Sequence, residues 1–150
     1  MIKGYLPGVF DLFHIGHLNI IRRAKKSCDY LIIGVTSDER CIERKGVKPF
    51  VPQSERLEIV TSIRYVDSAE ILATGDKLDA WKRHHFQIIF GGSDWKGTAE
   101  WNDLEENLKL VGCKVMYFPY TRQTSSTKLR EVLSMYHDKK TNHIFIPSQK

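Results

Sequence analysis

Cysteine, proline and long apolar stretches are scarce in this chain, and each scarcity removes a class of protein. The three cysteines (Cys28, Cys41 and Cys113) form an odd set with no C-x-x-C pair. This argues against a disulfide framework and for free thiols in a reducing compartment. No apolar run approaches the ~20 residues that span a bilayer. The first motif follows Met1 too closely to leave room for a secretory leader. A cytoplasmic protein without a membrane span is therefore expected. RNP, zinc-finger and helix-turn-helix patterns are missing, so the net charge of +5 points to a small anionic ligand and not to nucleic acid.

What is present is an ordinary globular composition, 41% hydrophobic and 27% charged over 150 residues. That length suits one domain able to bury about two-thirds of its unfolded surface. Apolar runs at Ile2–Leu6, Tyr30–Val35, Ala69–Leu72, Phe86–Phe90 and Cys113–Phe118 read as strands. Helical spacing falls between them: Leu18, Ile21 and Ala24; Leu57, Val60 and Ile63; residues 78–85; and Trp101, Leu104 and Leu108. Alternating strands and helices predict an α/β fold with a parallel sheet covered on both faces. Glu43 to Pro52 carries two prolines, a glycine and several cations, and reads as an exposed loop. The domain is expected over residues 1–136, followed by a polar 137–150 tail or dimer arm containing Ile144-Phe145-Ile146-Pro147. The neighbours His84 and His85 read as surface residues.

The chemically informative stretch is Gly8-Val9-Phe10-Asp11-Leu12-Phe13-His14-Ile15-Gly16-His17, placed at a strand-to-helix turn. His14 and His17 stand three apart, so one helical turn would aim both the same way. Free N–H groups at a helix start favour anionic oxygens, and imidazoles donate to phosphate. On residues alone, a pair of structural histidines or of metal ligands remains open, although no third ligand stands at metal-site spacing.

The complete string resembles the signature of the HxGH nucleotidyltransferases, and the chain from Tyr5 to about Leu133 is similar to their cytidylyltransferase branch, most of all to glycerol-3-phosphate cytidylyltransferases. The resemblance implies a Rossmann-like three-layer sandwich with a five-stranded sheet of order 3-2-1-4-5. It implies that His14 and His17 stabilise the α-phosphate of CTP, and that Gly8, Val9, Phe10 and Gly16 lie against the nucleotide. It places Asp11 near the acceptor. Lys48 stands eight residues before Arg56, the spacing of a family phosphate-binding lysine, and is expected to be catalytic. Lys45 in the same basic loop and Arg56 itself are expected to hold the acceptor.

Gly91-Gly92-Ser93-Asp94-Trp95 follows the fourth strand and matches the family's G-[DS]-D-W segment. Gly92 is expected at the nucleotide, with Asp94 and Trp95 at the acceptor. Ser125 and Thr127 open the last helix and offer a second phosphate site. Around them the family pattern changes: Tyr120 stands where its arginine falls, and Arg122 is the substitute expected on the acceptor. Val9 is a further departure.

The implied reaction transfers CMP from CTP to a small phosphorylated alcohol, glycerol 3-phosphate above others, releasing pyrophosphate. Ethanolamine or choline phosphate, a sugar phosphate, or ATP as donor are the alternatives. Mg²⁺ is expected on the triphosphate, with no metal held by the protein itself. A homodimer is expected from the relatives.

Overall fold

In the computed structural model, residues 1–120 and 125–138 are described. Five strands alternate with helices: β1 (Lys3–Gly8), α1 (Ile15–Lys26), β2 (Tyr30–Thr36), α2 (Asp38–Lys45), α3 (Gln53–Thr61), β3 (Ser68–Leu72), α4 (Lys77–His84), β4 (Ile88–Gly92), α5 (Ala99–Leu110), β5 (Lys114–Phe118) and α6 (Ser126–Asp138). All strand pairs are parallel and the order is β3-β2-β1-β4-β5, the order expected. The chain builds outward from β1 to β3 and then crosses back to place β4 on the other flank of β1. The crevice between the carboxyl ends of β1 and β4 is therefore the point where the direction of winding reverses, the usual ligand position in open α/β sheets.

Period-two alternation along the strands divides the core between two faces. Tyr5, Ile32 and Ile89 pack with Ala80 of α4 and with Trp101, Leu104 and Leu108 of α5. Their neighbours Leu6, Ile33 and Phe90 pack with Ile21 and Ala24 of α1 and Val60 of α3. Both faces are covered, which is why β2 is buried without interruption from Leu31 to Val35.

Three expectations shift. The glycines at 91 and 92 belong to β4 and do not follow it. Gly91 is required where it stands, because a Cβ there would lie 2.7 Å from the Trp101 indole. The basic segment from Glu43 is not all loop: α2 continues through Lys45 and stops at Gly46, whose φ of 69° closes the helix. Helix α6 runs on through Asp138, past the expected boundary at 136; the tail from residue 139 and Arg122 lie outside the described residues.

Candidate active site

His14 and His17 form the start of α1 in an unusual way. His14 is the N-cap, and its Nδ1 accepts the Gly16 backbone N–H at 3.0 Å, while Nδ1 of His17 accepts the His14 N–H at 3.2 Å. This is a capping box built from two imidazoles, each satisfying a donor that the helix leaves orphaned. The consequence is chemical. A ring whose Nδ1 accepts must carry its one proton on Nε2, so both rings present an Nε2–H donor. The rings lie with centroids 4.0 Å apart and planes tilted by 32°, and both Nε2 atoms converge on one point, the Ser126 hydroxyl, at 3.3 and 3.5 Å. That hydroxyl donates to the Asp11 carbonyl at 2.7 Å, leaving its lone pairs for the imidazoles. Burial lowers the His14 pKa; at His17, burial and the neighbouring His14 together press it to about 4, against the opposing pull of Asp11. At neutral pH both rings are thus uncharged, with fixed donors.

Asp11 is the hub of the site. It is 2% exposed, and its carboxylate accepts from the backbone N–H groups of Phe50 and Val51 at 2.9 Å each, of Leu12 at 3.1 Å, and from Arg130 Nη2 at 2.5 Å. The residues on either side, Phe10 and Leu12, hold φ of 56° and 49°, a left-handed conformation costing roughly 1–2 kcal/mol each. Bonds to the 50–51 backbone on one side and to α6 on the other hold the turn in that shape. Asp11 lines the cleft as expected, but its carboxylate oxygens are taken up by the protein's own donors.

Arg56 corrects the sequence reading more sharply. Expected on the acceptor, it is 0% exposed. Its Nε donates to Val51 O at 2.8 Å, Nη1 to Val9 O and Thr36 O at 2.6 and 2.8 Å, and Nη2 to Asp38 at 2.6 Å. The guanidinium is an internal strut tying the HxGH loop, the end of β2 and the basic loop together, and no face of it is left for a substrate. Lys48 is exposed in the loop beyond α2 and is not part of the cleft lining, where the last turn of α2 supplies Arg44 and Lys45 instead. His84 is not a bare surface residue: its Nε2 lies 2.9 Å from Glu70, which also takes the Tyr5 hydroxyl at 3.0 Å and Arg83 at 2.9 Å.

The remaining expected residues gather on one cleft of about 420 Å³. Gly8, Val9, Phe10, Gly16, Gly92, Asp94, Trp95, Ser125 and Thr127 line it together with both histidines. The sequence reading passed over Ser126, Arg130, Arg44 and Lys77, which line it too. Ser126 and Arg130 carried a signal, since an i, i+4 pair shares one helix face, and that face of α6 turns to Asp11. Lys77 carried a quieter one, a cation on the first turn of a helix, where the macrodipole disfavours it. Among the described residues no group of three or more His, Cys, Asp and Glu is placed to hold a metal ion, and no helix is long and apolar enough to cross a membrane.

This geometry agrees with what the chain resembles. FAD synthase of Pyrococcus horikoshii is 35% identical over 135 residues, covering 88% of this chain and 90% of that one. Glycerol-3-phosphate cytidylyltransferase of Bacillus subtilis is 30% identical over 141 residues, covering 89% and 98%. Among solved structures, a lipopolysaccharide core biosynthesis protein of Thermoplasma volcanium superposes with a TM-score of 0.69 at 26% identity, over 83% of this chain and 99% of that one. The cytidylyltransferase-like profile matches residues 5–132, from the middle of β1 into α6 and so across every wall of the cleft. A parallel sheet wound 3-2-1-4-5, with paired imidazoles where it changes direction, is thus seen in a chain that belongs to the cytidylyltransferase-like family of nucleotidyltransferases.

Proposed function

We propose that this protein transfers CMP from CTP to a small phosphorylated alcohol, glycerol 3-phosphate first among them, giving a CDP-alcohol and pyrophosphate. The observation that carries the reading is the convergence of two fixed Nε2–H donors on one point at the mouth of the cleft. An oxygen already sits there, the Ser126 hydroxyl; a phosphate oxygen is a stronger acceptor for the same two donors.

The chemistry follows from the groups present. An oxygen of the acceptor's phosphate, deprotonated at pH 7, attacks the α-phosphorus in line. The new P–O bond forms as the bond to the β-phosphate oxygen breaks, and the electron pair departs on pyrophosphate. No proton moves from the nucleophile, so no general base is required. Catalysis consists of placing the two anions and stabilising the charge on the α-phosphate. His14 and His17 donate to that phosphate, the start of α1 adds its partial positive charge, and Arg23 and Arg130 line the same cleft. The donor enters as its magnesium complex, with the ion carried by triphosphate oxygens and counted as substrate.

A second reading keeps the chemistry and changes both partners, and the 35% identity to an archaeal FAD synthase favours it. FAD is FMN joined through pyrophosphate to AMP, so that reading uses ATP as donor and FMN as acceptor. One experiment separates the two: pyrophosphate release measured with CTP and with ATP against glycerol 3-phosphate, phosphoethanolamine, a sugar phosphate and FMN. Release with CTP and glycerol 3-phosphate above every other pair is expected. Release only with ATP and FMN replaces the first reading by the second, and no release with any pair overturns both. The homodimer is proposed on the family resemblance alone, and sedimentation equilibrium tests it.

A further inference from the structure

The point on which the two imidazoles converge is already taken by a side chain of the protein itself. Ser126 Oγ lies 3.3 Å from Nε2 of His14 and 3.5 Å from Nε2 of His17, and it donates to the Asp11 carbonyl at 2.7 Å. A phosphate oxygen bonded to both Nε2–H groups needs that same position. Two oxygens cannot share it.

We propose that the Ser126 hydroxyl is a built-in plug, holding the α-phosphate position in the empty protein until the nucleotide displaces it. This rests on the nucleotidyl-transfer reading and adds to it a contact that works against substrate binding. Three observations carry it. First, the plug is held loosely on the imidazole side. Contacts of 3.3 and 3.5 Å exceed the usual length of an N–H···O bond, and a neutral hydroxyl accepts less strongly than an ionised phosphate. Second, the hydroxyl can leave while α6 stays docked. The helix is capped by its neighbour, Ser125 Oγ, which accepts the Lys128 N–H at 3.0 Å. One turn further on, Arg130 Nη2 holds Asp11 Oδ2 at 2.5 Å, with its guanidinium 5.1 Å from the centre of the Phe50 ring. Rotation of Ser126 to another staggered χ1 therefore clears the point without moving the helix. Third, the plug keeps the site ready. It gives both Nε2–H donors one acceptor while no ligand is bound, so the rings are aimed before the nucleotide arrives.

The displacement also has a return stroke. Asp11 is 2% exposed, and the left-handed residues on either side, Phe10 and Leu12, fix the direction of its carbonyl. With a phosphate bound, that carbonyl lacks the donor it had and has little access to water in exchange, which draws the hydroxyl back. The α-phosphate stays on the product when pyrophosphate leaves. The same hydroxyl thus competes with the product and favours its departure.

Calorimetric titration of the intact chain with CTP, ATP and inorganic phosphate tests the plug by the sign of the change. Ser126→Ala is expected to bind nucleotide and phosphate roughly threefold to tenfold tighter than the parent, the equivalent of one ordinary hydrogen bond removed from the empty state. Ser126→Thr keeps the hydroxyl and should stay within about twofold of the parent. In turnover, Ser126→Ala lowers the nucleotide KM by a similar factor while the acceptor KM stays within about twofold, a split that loosened packing does not produce. Should Ser126→Ala fail to fold, Ser126→Gly, which also lacks the hydroxyl, decides in its place. Affinity that is unchanged or weakened without the hydroxyl overturns the plug, and weakening would mark Ser126 as a phosphate ligand instead. Tighter phosphate binding in Ser126→Ala, in a protein that takes neither CTP nor ATP, upholds the plug and refutes the nucleotidyl-transfer reading. No binding of any of the three probes, in parent and variants alike, overturns both.

Discussion

At the scale of single residues, the two imidazoles at the head of α1 have two tasks at once. Their Nδ1 atoms cap the helix and their Nε2–H groups face the cleft, so a substitution that spares one task disturbs the other. Replacing either histidine by alanine is expected to lower kcat about 10²–10³-fold, the usual loss on deleting one oxyanion donor, and steady-state pyrophosphate release checks it. The lowered pKa values give a second expectation. A histidine whose folded value lies below its unfolded value of 6.5 takes up its proton more readily when unfolded. Stability from this pair is complete above about pH 6.5 and is lost as the pH falls toward about 4. Thermal melts between these limits should show the decline, and it should flatten in His17→Gln. Arg56→Lys tests the strut: a lysine cannot reproduce four bonds in a fixed fork. Urea denaturation should show a loss of roughly 3–5 kcal/mol, whereas an acceptor-binding role would change KM and leave stability alone.

At the scale of elements, what matters is how the walls of the cleft are held. Ser37 caps α2 by accepting the Arg40 N–H at 3.1 Å, and the last turn of α2 carries Arg44 and Lys45 into the cleft. Ser37→Ala should cost about 1 kcal/mol in chemical denaturation. On the other side, α6 is joined to the HxGH loop through Ser126 and Arg130, both acting on Asp11. The hydroxyl-rich start of α6 was legible in the sequence as the opening of a helix. Its docking on residues more than a hundred positions away was not, because no local periodicity records which turn of a helix meets which loop. The same limit misplaced Arg56. Its spacing from Lys48 is a linear feature, whereas its burial follows from three carbonyl groups contributed by β2 and by two loops.

At the scale of the whole molecule, a net charge of +5 accompanies a cleft lined by Arg23, Arg44, Lys45, Lys77 and Arg130. Rising ionic strength should lower kcat/KM for nucleotide severalfold between roughly 0.05 and 0.5 M salt through weakened steering, with less effect on kcat. Stopped-flow or steady-state assays across that range check it. The alternation of apolar runs was enough to specify a parallel α/β sandwich, because buried parallel strands and amphipathic helices each impose their own period on the chain. The ten residues from Gly8 to His17 pointed to the nucleotidyltransferase family through their resemblance to its signature, whereas helix-start geometry and imidazole chemistry alone left a structural or metal-binding pair open. Which proton each imidazole keeps and which arginine is sealed inside were decided only when distant segments met. Those outcomes depend on burial and on partners, and neither is a property of neighbouring positions in the chain.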